Sequence, residues 1–171
     1  KKILLKQTAY ATPFWNAGFF LKMVLKERHG NINRRGFVTR TNLTIILVEP
    51  QLGQNIGAVA RAMLNFGLTD LRLVNPRDGW PNQEAIAPAA GADSVLQNIH
   101  VYPSTCAAIG DLNRIFASSA RPHDMIKYVY SPNAALEHLV NTAQCEQKVG
   151  VLFGNERCGL LSEDISLCEA L

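Results

Sequence analysis

Residues 43–67 read LTIILVEPQLGQNIGAVARAMLNFG, and their reading decides the fold. The first seven, LTIILVE, form an unbroken β-branched and apolar run, the pattern of a strand buried on both faces rather than a half-exposed one. Pro50 and Gly53 break that run, and from Asn55 onward apolar residues recur at helical spacing, so a helix is expected over 55–66. Asn55 is a good N-cap and Gly67 a good C′ residue. Gly53 is expected to shape the turn between strand and helix. On the helix, positions 57, 61 and 65 lie on one face, so Arg61 is set beside Gly57 and Ala58 with room for a large ligand, its planar fork suited to phosphate or carboxylate oxygens. The alternative is that the small residues only permit close packing while Arg61 pairs with an acid.

Strands and helices then alternate. Strands are expected in LRLVNP, IHVY, RIFASSA and VGVLFGN, and helices at 84–90, 104–112, 133–141 and 162–170, with Gly91 and Ser104 as further punctuation. This order implies an α/β domain with a mainly parallel sheet and helices on both faces. Three polar stretches each follow an apolar strand: EPQLGQN, SSAR and GNERCG. Ligands of open α/β sheets bind beyond the carboxyl ends of the strands, so these loops should converge on one crevice. In the last of them Glu156 and Arg157 stand between Gly154 and Gly159, which suggests backbone groups facing a ligand rather than a surface ion pair.

The 171 residues, 47% hydrophobic and 18% charged, are enough for one ordinary core. A net charge of +3 hides an asymmetry: residues 1–40 carry nine basic residues against Glu27 alone, a net +8, while the remainder is net −5. Residues 1–40 are therefore taken as a basic extension and 41–171 as the folded domain. With Tyr10, Phe14, Trp15, Phe19, Phe20 and Phe37 interleaved, the arm is suited to a polyanion such as RNA, Arg34 and Arg35 included; its charges being merely solvated is the competing view. Cys106, Cys145, Cys158 and Cys168 form no C-x-x-C pair, and the four histidines lack metal-ligand spacing, so no disulfide framework and no metal site is expected. A reducing cytoplasm fits. Lys22 interrupts the apolar run at 12–25, and neither a membrane span nor a signal peptide is expected. No G-x-G-x-x-G follows the first strand, and neither a P-loop nor a G-x-S-x-G elbow occurs.

Taken together, NIGAVARAMLNFGLTDLRLVNP (55–76), AIAPAAGADSVLQN (85–98), SSAR (118–121) and LFGNERCGL (152–160) resemble the SpoU, or TrmH-type, branch of the SPOUT RNA methyltransferases, over about residues 43 to 170. Within the branch the likeness is to the TrmJ-type tRNA enzymes. The resemblance implies a trefoil-knotted α/β fold, S-adenosylmethionine as cofactor, a homodimer with its site at the subunit interface, and methyl transfer to a ribose 2′-hydroxyl of tRNA in the anticodon loop. It assigns Arg61, Asn55 and Glu156 to catalysis, with Arg61 acting on the target hydroxyl. It assigns Ser118, Ser119, Ala120, Gly154, Gly159 and Leu160 to the cofactor, and Arg61, Arg121 and Arg157 to RNA. The family's third motif, a Ser-Leu-Asn-type segment, would follow Leu171, so the knot is expected to be incomplete in these residues and cofactor binding by them weak. The competing functions are an rRNA 2′-O-methyltransferase and a non-catalytic RNA-binding protein on the same scaffold.

Overall fold

The computed structural model describes residues 42–119, 127–131, 134–135, 138, 142 and 147–170. Five parallel strands form one sheet: β1 (Leu43–Val48), β2 (Asp70–Val74), β3 (His100–Tyr102), β4 (Arg114–Ser118) and β5 (Val149–Phe153), in spatial order β3-β2-β1-β5-β4. The chain steps outward from β1 to β3, crosses to the far edge at β4, and returns to insert β5 beside β1. The reversal point therefore lies between β1 and β5.

Strand β1 is buried over five of its six residues, as an unbroken apolar run at the centre of a sheet requires. Its alternate side chains serve two cores. Ile45 and Leu47 join Val149, Val151 and Phe153 beneath Ile56, Val59, Ala60 and Met63 of helix α1 (Gly53–Asn65). Ile46 and Val48 join Leu152, Ile115 and Ala117 on the opposite face, under Ala108 of α4 (Thr105–Ile109) and Ile165 of α5 (Ser162–Ser166). Helices thus cover both faces, as the strand–helix alternation implies. Each fully buried branched side chain is worth about 1.5–3 kcal/mol, and Ile45, Ile46, Ile56, Leu71, Leu73 and Leu152 are all sequestered in this way.

Several boundaries differ from the sequence expectation. The segment expected as a helix at 84–90 is a 3₁₀ turn, Gln83–Ala85, leading into the short helix α2 (Ile86–Ala89), which ends where Ala90 and Gly91 are both left-handed. A further helix, α3 (Asp93–Leu96), follows. Helix α4 ends at Ile109 and α5 at Ser166, each shorter than expected. Residues 168–170 leave α5 to lie along the outer edge of β4, where the Glu169 amide donates to the Ile115 carbonyl (2.9 Å) and the Ala117 amide to the Ala170 carbonyl (2.9 Å). Backbone pairing at an open sheet edge outweighs continuation of the helix. Ser104 caps α4 by accepting from the Ala107 amide, and Gly67 takes a positive φ just past α1, both as expected. Of the helix expected at 133–141, Ala134, Ala135 and His138 are helical and the rest lie outside the described residues. So do the basic extension, Ala120 and Arg121. No helix among the described residues is long and apolar enough to cross a membrane.

A carboxylate clamp at the carboxyl edge of the sheet

Where β1 and β2 end, the backbone turns sharply. Glu49 and Asn75, the residues after each strand, both take left-handed conformations (φ 49° and 43°), which Asn tolerates but which for Glu49 is a sign of constraint. The constraint is visible in the stitching between the loops. The Glu49 amide donates to the Val74 carbonyl (2.8 Å), the Asn75 amide to Tyr102 (3.2 Å) and the Arg77 amide to the Pro50 carbonyl (3.1 Å).

Helix α1 begins at Gly53, not at Asn55 as the sequence suggested, and its N-cap is Leu52, whose side chain cannot cap. Asn55 is drawn inside the first turn because its side chain has a partner elsewhere. Its Nδ2 donates to Glu156 Oε1 (2.6 Å), while the other carboxylate oxygen, Oε2, accepts from the Gln51 amide (2.8 Å). A carboxylate delivered from the loop after β5 therefore occupies the amino end of α1, where unpaired amides and the helix dipole favour negative charge. Gly53 does not act through a free backbone torsion. It is helical and buried, and a Cβ there would collide with the Asn82 side chain, which in turn accepts from the Glu84 amide (2.9 Å). Gly57 likewise opens no ligand space: a Cβ would overlap the Ala85 carbonyl, so this glycine exists for close packing. Arg61 itself points outward, on a solvent-facing stripe with Gln54 and Asn65.

The loop after β5 is wound on itself. Asn155 Oδ1 accepts from the Arg157 (3.0 Å) and Cys158 (2.7 Å) amides, and the Gly159 amide closes the loop on the Asn155 carbonyl (3.0 Å). Gly154 is required because a Cβ there would run into the backbone of Gly159 and Leu160. Gly159 takes φ 74° beside open space, and Leu160 is buried among Val48, Ile165 and Cys168. Leu160's side chain thus belongs to the core, leaving only its backbone for a ligand. Ser118 ends β4 in register with Phe153, and Ser119 follows it, so the three loops leave the same edge of the sheet on neighbouring strands.

Among the described residues seven Lys and Arg side chains can be sorted by what they touch. Arg72, which sequence reading passed over as part of an apolar strand, is buried near the opposite end of the sheet. It binds Asp70, Asp111 and the Ala108 carbonyl and lies 5.7 Å from the Tyr102 ring centroid. The hydrogen bond from Arg72 holds the Asp111 carboxyl well below its usual range, and Lys148 adds to the effect (3.1 Å). Arg114 pairs with Glu169, and Lys127 donates to the Ser166 and Cys168 carbonyls. Arg77 pairs with Asp78. Arg61 and Arg157 remain: both are exposed, and their guanidinium groups make no hydrogen bond or ion pair with the described residues. The unpaired cations thus stand on the helix and loop joined by Glu156.

Residues 42–171 match the model of the SpoU rRNA Methylase family. The chain belongs to the SpoU rRNA methylase family. Among curated relatives, this SpoU chain is 37% identical over 128 residues to the tRNA (cytidine/uridine-2′-O-)-methyltransferase TrmJ of Escherichia coli K12, covering 74% of this chain and 51% of the relative. The match thus spans about half the length of the curated relatives. Among solved structures, TrmJ from Z. mobilis ZM4 superposes with a TM-score of 0.69 at 49% identity, covering 74% of this chain and 56% of that one. The SpoU methyltransferase AviRb from Streptomyces viridochromogenes, solved in complex with AdoMet, aligns with a TM-score of 0.53 at 15% identity, covering 80% of this chain and 50% of that one, a likeness of fold alone. Family membership and fold therefore agree with the resemblance carried by the sequence motifs.

Proposed function

We propose that this SpoU chain is the methyltransferase domain of an enzyme that transfers a methyl group to a ribose 2′-hydroxyl of tRNA, in the anticodon loop. The observation that supports the reading best is the Glu156 clamp. One carboxylate fixes both the turn before α1 and Asn55, and so sets α1, with Arg61 exposed on it, against the loop after β5. The 37% identity to a TrmJ enzyme favours tRNA over rRNA.

S-adenosylmethionine, when bound, supplies a methyl carbon made electrophilic by its sulfonium neighbour. The residues that would hold it are Ser118, Ser119, Ala120, Gly154, Gly159 and the backbone of Leu160. The open space beside Gly159 and the closely wound, backbone-rich loop suit a ligand read by main-chain groups. Arg61 donates to the ribose 2′-oxygen and orients it. A guanidinium has no free lone pair to accept the proton, so the proton leaves to an RNA phosphate oxygen or to water. Positioning then supplies most of the rate. Asn55 and Glu156 act on Arg61's helix rather than on the proton. Arg157 and Arg121 neutralise phosphates, and Arg34 and Arg35 of the extension add affinity to a domain that is itself net acidic. A trefoil-knotted homodimer in the cytoplasm, without metal, completes the reading.

Nucleoside mass spectrometry of tRNA and rRNA from cells lacking the gene tests it. A 2′-O-methylated nucleoside lost from tRNA and restored by the wild-type gene is expected. Unchanged tRNA with a ribose methyl missing from rRNA would move the substrate, and no loss from either would favour a non-catalytic RNA-binding role.

A further inference from the structure

Arg77 stands apart from the residues named so far. It lies in the loop after β2, which none of the sequence motifs assigned to a site, yet that loop is tied directly to the clamp. The Arg77 amide donates to the Pro50 carbonyl (3.1 Å), and the next residue after Pro50 is Gln51, held by Glu156 (2.8 Å). The turn is also constrained on both sides of Arg77, by left-handed Asn75 (φ 43°) and Gly79 (φ 73°). Asp78 grips the guanidinium through both oxygens, Nε at 2.9 Å and Nη2 at 2.8 Å, and leaves the side chain 51% exposed. Those Asp78 hydrogen bonds raise the affinity of Arg77 for its proton, with weaker help from the charges of Glu156 and Glu84.

A solvent-exposed pair of adjacent residues adds almost nothing to stability. Its placement does more. Bidentate capture by Asp78 uses one edge of the planar fork and fixes the direction of the rest. Arg61, Arg77 and Arg157 are then the cations associated with the α1 and strand-end loops, while the other described cations are engaged in ion pairs or with backbone carbonyls elsewhere.

We propose that Arg77, oriented by Asp78, contacts a phosphate of the RNA strand that enters the site, and so sets where the substrate backbone lies relative to Arg61. This rests on the tRNA reading above. In the full-length protein, tRNA dissociation constants are measured across a series of salt concentrations for the parent, Arg77→Ala, Arg77→Lys and Arg114→Ala, together with calorimetric S-adenosylmethionine binding and the steady-state constants for tRNA. Loss of one phosphate contact is expected to raise the Kd of Arg77→Ala about three- to tenfold at moderate salt and to make its log–log salt slope shallower by about 0.7–0.9. The loss should appear in KM more than in kcat. Arg77→Lys should keep the slope, since phosphate accepts a point charge. Arg114→Ala, whose charge is paired with Glu169 at the start of β4, should match the parent. A slope for Arg77→Ala equal to the parent's overturns the proposal, as does a change confined to S-adenosylmethionine binding. The broader reading is judged from the parent alone: failure of the parent to bind or methylate tRNA removes that reading, and this proposal with it.

Discussion

Asn55 and Glu156 stand 101 positions apart in sequence and meet at 2.6 Å, Nδ2 to Oε1, with the second carboxylate oxygen on the Gln51 amide. Two half-buried hydrogen bonds to a charged acceptor are at stake. Glu156→Ala is expected to lower unfolding stability by about 1.5–3 kcal/mol, because the Asn55 amide and the Gln51 N–H lose their acceptor together. Asn55→Asp should cost more than Asn55→Ala at pH 7, since it sets a second carboxylate against Glu156. Chemical denaturation of the three variants checks both the size and the order.

Glycine positions offer a contrast of opposite sign. At Gly57 and Gly154 a methyl group would overlap backbone atoms, those of Ala85 and of Gly159 with Leu160, and backbone cannot step aside as a side chain can. Gly57→Ala and Gly154→Ala should each cost about 1–3 kcal/mol or more. Gly110 has an ordinary right-handed conformation (φ −60°), and an added Cβ would find only normal contacts at 3.8 Å. Gly110→Ala should therefore stabilise by about 0.4–1 kcal/mol. Thermal melts resolve the two classes.

Acid sensitivity should trace to Asp111. Its folded-state carboxyl is held well below the ordinary range, first by the Arg72 hydrogen bond and then by Lys148. A depressed carboxyl contributes stability that is fully present above the unfolded value, near 3.9, and is lost as pH falls from there toward the folded value. Asp111→Asn should consequently be less stable than the parent at pH 6–7 and approach it as pH drops below about 4. A parallel acid limb in both proteins would show that the Arg72 network does not govern this range.

Thiol reactivity separates the described cysteines. Cys168 is buried, its thiol pushed up to about 12 chiefly by burial, and its Sγ donates to the Asp164 carbonyl (3.4 Å). Cys106 and Cys158 are exposed. Iodoacetamide at pH 8 should label Cys106 and Cys158 rapidly and Cys168 only on unfolding, as read by peptide mass spectrometry.

Much of this architecture was legible in the chain, and the exceptions share a cause. Strands β1 and β5 announce themselves because a central parallel strand must be apolar on both faces, and the strand–helix order left little choice of fold class. Arg72 escaped notice because one guanidinium inside an apolar strand carries no local sign that Asp70, two residues back, and Asp111, 39 residues on, will neutralise it. Asn55 was misplaced as an N-cap because cap preference is a local rule, and a carboxylate 101 residues away overrode it. Gly57 and Gly154 are visible as special in the sequence, but only their neighbours in space show the close backbone packing that each one permits. The loops that gather at the carboxyl edge followed from strand order; what holds them together, Glu156, needed coordinates.

The most direct test concerns Arg61, exposed beside the clamp and without an ion pair among the described residues. Full-length protein is incubated with unmodified tRNA and methyl-labelled S-adenosylmethionine, and the labelled nucleoside is identified by mass spectrometry for wild type, Arg61→Lys and Arg61→Ala. Label on a ribose 2′-oxygen is expected, with Arg61→Ala slower by about 10²–10³-fold and Arg61→Lys well below wild type, because a point charge does not reproduce the planar fork. Label on a base, or an Arg61→Ala rate within a few-fold of wild type, would contradict the account.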